Sequence, residues 1–169
     1  MRSNQGYTLM EMTIVVLIMS ILAVTAVPKF QQLYAENAIA TSANVLAADF
    51  KHARSEALVR RTNLHFVQLT ADTVNPWGGG WKIEDQALNV VIFENRSLPK
   101  SVRIVSVPVL GDVMLLGVAG LVARADGTVT DLEFKVCDTK VTGEVGRSVF
   151  VSRFGRVAVR RHTSSADCT

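Results

Sequence analysis

The sequence predicts an α+β protein in which one long N-terminal helix packs on an antiparallel β-sheet. Three observations favour this class: residues 7–27 are apolar almost throughout, residues 28–61 continue a helical pattern, and residues 62–169 form short β-rich runs. The 169 residues suffice for one domain plus an anchor. A net charge of +3 does not by itself indicate nucleic acid as a partner.

The first apolar stretch has the length of a membrane-spanning helix. A helix over residues 7–27 would span about 30 Å, the thickness of the hydrocarbon core of a bilayer. A cleaved secretory signal fits less well, because the apolar run is too long and only Arg2 supplies a positive side chain before it. A plain single-pass anchor leaves Glu11 unexplained, since a carboxylate in lipid costs several kcal/mol or must be neutralised.

The helix is expected to continue to about Arg61 and to become amphipathic. Pro28 lacks an N–H and should kink the helix or mark where it leaves the lipid. Beyond it, four apolar residues recur at the spacing of one helix face: Leu46, Phe50, Ala53 and Ala57. Asp49 is expected to be a charge on the helix surface. The apolar face should lie on the sheet.

Nine β-rich runs follow, separated by residues typical of turns. Not every run is expected to be a strand, and the cluster NPWGGG is expected to be a turn. The runs are LHFVQLT, WKIE, LNVVIFE, VRIVSV, VMLLGV, LVARAD, TVTDLEFKV, SVFVSRF and RVAVRR.

The N-terminal stretch QGYTLMEMTIVVLIMSILAVTAVPKF resembles the class III signal of type IV pilins and type II secretion pseudopilins. The shared features are a glycine, an aromatic residue, Thr-Leu and a glutamate at the start of an apolar run. The chain has Tyr7 where the family usually has Phe, and Met10 where it usually has Ile. The resemblance implies that a prepilin peptidase cuts between Gly6 and Tyr7, and that Tyr7 is then N-methylated. Pro28 matches the family's helix-bending proline.

Glu11 matches the acid that the family carries five residues into the mature chain. Cleavage after Gly6 creates a positive α-amino group on Tyr7, and the Glu11 carboxylate of a neighbouring subunit can pair with it as the helices pack. A buried acid is tolerable with such a partner. We therefore expect Glu11 to set the register of assembly. The alternative is that Glu11 lies at headgroup depth and has little effect.

Four later stretches are similar to the GspH/FimT-type pilin domain: ARSEAL, GGWKIED, ADGTVTDLEF and GRSVFVSRFGRV. With the signal, the resemblance covers nearly the whole chain. It implies a leader over residues 1–6, a transmembrane and assembly helix over 7–27, an amphipathic helix over 28–61 and a β-rich pilin domain over 62–169.

The C-terminal segment is basic, because no Asp or Glu occurs between Glu144 and Asp167. In a strand, Arg156 and Arg160 share one face. Arg153 is placed to join them across the bend that follows it, and Arg161 adds a further charge. Guanidiniums gathered on one surface suit phosphate groups.

DNA binding is therefore one interpretation of this tail. Some FimT-type members bind DNA through a Gly-Arg-x-Arg motif, of which Gly155 and Arg156 are present here while Ala158 replaces the second arginine. Two alternatives are a solvated edge strand protected by charge and pairing with acidic neighbours in a filament. Phe150 and Phe154 are expected to face the core, so bases would find few stacking partners.

The two cysteines, Cys137 and Cys168, are expected to form a disulfide, because a membrane-targeted N-terminus favours an oxidising compartment. Pairing between chains and free thiols are the alternatives. The scattered histidines and cysteines lack metal-ligand spacing. No triad spacing indicates an enzyme, and no cofactor is expected.

The sequence thus predicts a minor type IV pilin of structural function. It would insert in the bacterial inner membrane with its domain in the periplasm, and would then be extracted into a pilus on the cell surface. Its partners would be other major and minor pilins, prepilin peptidase, the inner membrane and, in one interpretation, DNA. The alternatives are a minor pseudopilin of type II secretion and a DNA-binding pilin acting in natural transformation.

Overall fold

The computed structural model describes residues 7–70, 72–96, 98–108, 110, 113–116, 120–138 and 146–162. The chain divides into two compact units, Met1–Tyr34 and Ala35–Thr169, which are described separately. Each of the nine predicted runs overlaps one strand, so the expectation that some runs would not be strands was wrong. The elements are α1 (Leu9–Arg60), β1 (Leu64–Gln68), β2 (Trp81–Asp85), β3 (Val90–Asn95), β4 (Val102–Val107), β5 (Val113–Leu116), β6 (Val122–Arg124), β7 (Leu132–Asp138), β8 (Arg147–Val151) and β9 (Val157–Arg161).

In the first unit, the chain is the apolar beginning of α1. It contains a stretch long and apolar enough to cross a membrane, judged by length and composition alone. Its hydroxyl groups bond to carbonyls of the same helix; for example, Ser20 Oγ donates to the Val16 carbonyl at 2.8 Å. Bonds of this kind satisfy the hydroxyl donors of Thr13, Ser20 and Thr25 within the helix itself. The helix continues through Pro28.

In the second unit, the remainder of α1 buries one face against the sheets. Leu46, Phe50, Ala53 and Ala57 are all buried, which confirms the predicted apolar face. The helix ends in a left-handed residue, Arg61, with φ 53°. The N–H of Thr62 then donates to the Ala57 carbonyl at 3.2 Å, the six-to-one bond of a Schellman cap.

The strands form two antiparallel sheets where the sequence suggested one. The five-stranded sheet has the order β3-β2-β1-β5-β6, and the four-stranded sheet has the order β4-β7-β8-β9. Sequence neighbours pair within β1–β2–β3, β5–β6 and β7–β8–β9, while β1–β5 and β4–β7 are longer-range pairs. This arrangement leaves β9 at one edge of the four-stranded sheet.

The core lies where α1 meets both sheets. The Phe50 ring stacks on the Phe66 ring of β1 at a centroid distance of 4.2 Å, and lies 5.2 Å from the Phe134 ring of β7. Trp77, from the predicted turn, is fully buried between Phe66 and Phe134. One apolar cluster therefore joins the helix to both sheets.

Candidate assembly helix and basic sheet surface

The start of α1 is an N-cap built by Thr8. The N–H of Glu11 donates to Thr8 Oγ1 at 3.2 Å, and the N–H of Met12 donates to the Thr8 carbonyl at 3.3 Å. Thr8 and Glu11 thus occupy the N-cap and N3 positions of a Thr-x-x-Glu capping pattern. An acid in the first turn also interacts favourably with the positive end of the helix dipole. The sequence analysis missed this cap, in which the Thr8 side chain bonds to the backbone N–H of Glu11.

Glu11 is nevertheless exposed in the single chain. Among the described residues, no cation pairs with its carboxylate. Tyr7 is also exposed, directly before the cap, whereas Gly6 lies outside the described residues. The proposed cleavage point therefore precedes the first helical turn by two residues.

The basic tail divides between the two faces of β9. Val157 and Val159 are half-buried against the core, while Arg156, Ala158 and Arg160 are exposed. Arg160 lies over the Phe150 ring, with Cζ 5.4 Å from the ring centroid. Arg161 follows the alternation to the other side of the strand. It lies opposite Arg147 of β8.

Arg153 is held in an ion pair and is not an open cation of that face. Its Nη2 lies 3.3 Å from Asp131 Oδ2, and its backbone N–H donates to Asp131 Oδ1 at 2.7 Å. That backbone hydrogen bond, followed by the side-chain bond, holds the pKa of Asp131 below its usual value. The pairing fixes the bend that precedes β9.

The two phenylalanines of this region do not face the core, contrary to expectation. Phe150 is half-buried on the face of β8 that also carries Ser148, and Phe154 is 64% exposed at the bend. The bend interrupts the strand alternation, because Gly155 takes a left-handed φ of 73°. A Cβ at Gly155 would lie 2.4 Å from Arg54 Nε, so only glycine fits.

The outer face of the four-stranded sheet, the face directed away from the core, brings in two cations that the sequence analysis missed. Arg103 alternates with buried Val102 and Ile104, and Lys135 alternates with buried Phe134 and Val136. Strand register places Lys135 beside Ser148, and Ser148 beside Arg160. The cations of this face therefore come from three strands, which no local sequence window could show.

Glu133 is the one acid on that face within the described strands. Ser148 Oγ donates a hydrogen bond to the Glu133 carboxylate and also contacts Nε2 of buried His162. The carboxylate is thus engaged at the sheet surface, and the face retains an excess of positive charge. No group of three potential metal-ligating residues occurs in the described part of the chain.

Only one of the two predicted disulfide partners lies in the described part of the chain. Cys137 is buried in β7, whereas Cys168 lies outside the described residues, so their pairing stays a prediction.

Asp49 was expected to be a surface charge, but its Oδ2 accepts hydrogen bonds from Trp81 Nε1 at 2.8 Å and Asn95 Nδ2 at 3.1 Å. This carboxylate ties α1 to β2 and β3.

Comparisons with known proteins agree with this architecture. The family described as Type II transport protein GspH matches residues 42–155, and the prokaryotic N-terminal methylation motif matches residues 1–27. Two crystal forms of the type IV minor pilin FimU of Pseudomonas aeruginosa strain PAO1 share the fold. One is 20% identical, with a TM-score of 0.62, and covers 76% of this chain and 96% of its own. The other is 21% identical, with a TM-score of 0.58, and covers 73% of this chain and 97% of its own. No curated protein sequence gives a significant match.

A long helix that begins in a methylation motif, and whose later part packs on antiparallel sheets, defines the pilin class of proteins. The chain belongs to the GspH family, and it is a GspH/FimT-like minor pilin or pseudopilin.

Proposed function

We propose that this chain is a minor type IV pilin that primes or connects subunits during pilus assembly. The observation that carries the proposal is Glu11, an exposed acid in the first turn of a helix of membrane-spanning length. Such an acid needs a cationic partner once it enters an apolar environment. The α-amino group of Tyr7 in a neighbouring subunit is that partner after removal of residues 1–6.

Replacing Glu11 by Ala should leave membrane insertion intact and abolish incorporation into pili, because the apolar helix remains while its charge partner is lost. Surface pili would be counted in a deletion strain that expresses the variant. Ser20→Ala is the matched control, since this hydroxyl bonds within its own helix. Normal piliation with Glu11→Ala would contradict the proposal, as would a mass spectrum showing residues 1–6 retained in cells with active prepilin peptidase.

A pseudopilin of type II secretion is the alternative within the same structural class. The description of the matched family, which names type II transport, favours keeping it. Deleting the chain separates the two roles, because a pilin is expected to affect surface pili and a pseudopilin to affect secreted proteins.

The outer face of the four-stranded sheet favours a second candidate function, DNA binding. Arg156 and Arg160 lie there with Lys135 and Arg103, and contacts to phosphates would be independent of sequence and sensitive to salt. In gel-shift assays over a salt series, Arg160→Ala should weaken retention and lower the salt slope by about one unit. Arg153→Ala is the control, because Asp131 already neutralises this cation. Equal effects of the two variants, or no retention at low salt, would exclude a DNA receptor at this face.

A further inference from the structure

Two of the four sheet edges are covered by neighbouring chain. At β4, Asn75 acts as a substitute strand: its Nδ2 donates to the Val102 carbonyl at 3.0 Å, and its Oδ1 accepts the Ile104 N–H at 2.8 Å. At β6, the chain returns on itself, and the Arg124 N–H donates to the Thr128 carbonyl at 3.0 Å. Covered edges of this kind do not accept additional strands.

The edge at β9 is open among the described residues. The Ser152 N–H donates to the Arg156 carbonyl, and the His162 N–H donates to the Gly146 carbonyl, both at 2.9 Å. Hydrogen-bonded pairs alternate in an antiparallel ladder, so the even-numbered residues of β9 direct their backbone groups to β8. The N–H and C=O groups of Val157, Val159 and Arg161 therefore point outward.

Charge distinguishes β9 from β3, the other edge that no described segment covers. Exposed Arg156 and Arg160 lie on one side of β9, and Arg161 lies at its end. Strand β3 carries Glu94 and no Lys or Arg. An extended segment added at β9 would thus meet outward backbone groups together with positive charge on the outer face.

We propose that the β9 edge binds an extended acidic segment of a neighbouring pilin subunit, which adds to the four-stranded sheet as a fifth strand. Backbone hydrogen bonds to Val157, Val159 and Arg161 would supply the pairing. Acidic side chains at alternate positions of the segment would face Arg156 and Arg160, and apolar ones would face the side of Val157 and Val159. The proposal rests on the assembly role above, since the partner is another subunit.

The test uses the full chain in an uncharged detergent and a capped, fluorescently labelled eight-residue peptide of alternating Glu and Val. Binding is followed by fluorescence anisotropy. N-methylation of the peptide amides in one register removes the donors that face β9, so affinity should fall by at least about tenfold. N-methylation in the other register should change affinity by less than about threefold. Because these probes leave the protein unaltered, misfolding cannot produce the difference.

Protein variants provide the reciprocal measurement. Val159→Pro removes one outward N–H, and an edge strand tolerates this because that N–H has no partner in β8. Val159→Ala keeps the N–H and loses the same side-chain packing, so it is the matched control. The proline variant should bind at least about tenfold more weakly than the alanine variant, with both melting cooperatively by circular dichroism.

Absence of binding at millimolar peptide would overturn the proposal, as would equal affinities of the two N-methylated peptides. Displacement of both peptides by duplex DNA, with equal loss of affinity for each, would instead indicate a general polyanion surface and would also overturn it. Counting pili separates this result from the proposed function. If the peptide does not pair with β9 but Glu11→Ala still abolishes incorporation into pili, only the strand addition is refuted. Normal piliation in Glu11→Ala cells refutes the assembly role.

Discussion

At the scale of single residues, two acids in α1 have different surroundings. Glu11 occupies the N3 position of a cap, where its N–H bonds to Thr8 Oγ1. Asp49 lies on the half-buried side of the helix and accepts hydrogen bonds from two strands. The Asp49 carboxylate thus satisfies two donors of the sheet, whereas the exposed Glu11 carboxylate is accessible to an intermolecular partner.

Replacing Asp49 by Ala should destabilise the domain by about 2–3 kcal/mol, because the fully buried Trp81 indole N–H loses its acceptor. Asp49→Asn should cost less, since a carbonyl oxygen remains available. Unfolding by urea, followed through tryptophan fluorescence, measures the free energies. Glu36→Ala, an exposed acid of the same helix, is the control and should change stability by less than about 0.5 kcal/mol. An Asp49→Ala variant as stable as the control would show that the two bonds contribute nothing net.

At the scale of elements, the sequence located the strands because the two-residue alternation and the turn residues are local signals. It did not separate the strands into two sheets, because pairing such as β1 with β5 depends on residues far apart in the chain. The same limit explains why the side-chain partners of Asp49 and Arg153 were not predicted. Asp49 and Trp81 are 32 residues apart, and Arg153 and Asp131 are 22 residues apart.

The candidate basic surface shows this limit most clearly. Arg156 and Arg160 were predicted to share a face because they lie on one strand. Arg103 and Lys135 lie on the same face because of the register of β4, β7, β8 and β9, which the sequence does not show. Arg153 is not an open cation of this surface, because Asp131, in the segment before β7, pairs with it. A short stretch of sequence shows which charges one strand carries. The pairing of strands in the sheet determines which charges from different strands lie side by side.

At the scale of the whole molecule, the second unit depends on the aromatic cluster that joins α1 to both sheets. Phe50 is 2% exposed and contacts Phe66 of one sheet and Phe134 of the other. The outer face and the β9 edge are therefore held in place by the same core that fixes the helix. Both sheets therefore keep a fixed geometry relative to the part of α1 that packs on them, residues 35–60.

Replacing Phe50 by Ala should cost about 3–5 kcal/mol, through lost apolar burial and a cavity between three elements. Phe50→Leu keeps most of the volume and should cost less, about 1–1.5 kcal/mol. Urea unfolding of both variants, monitored by tryptophan fluorescence and by far-ultraviolet circular dichroism, measures the loss. Because the cluster is shared, the two probes should report one transition in each variant. Separate transitions for the tryptophan fluorescence and the backbone signal would show that the sheets fold independently of the helix. A loss of stability below about 1 kcal/mol in Phe50→Ala would show that the aromatic cluster does not hold α1 to the sheets.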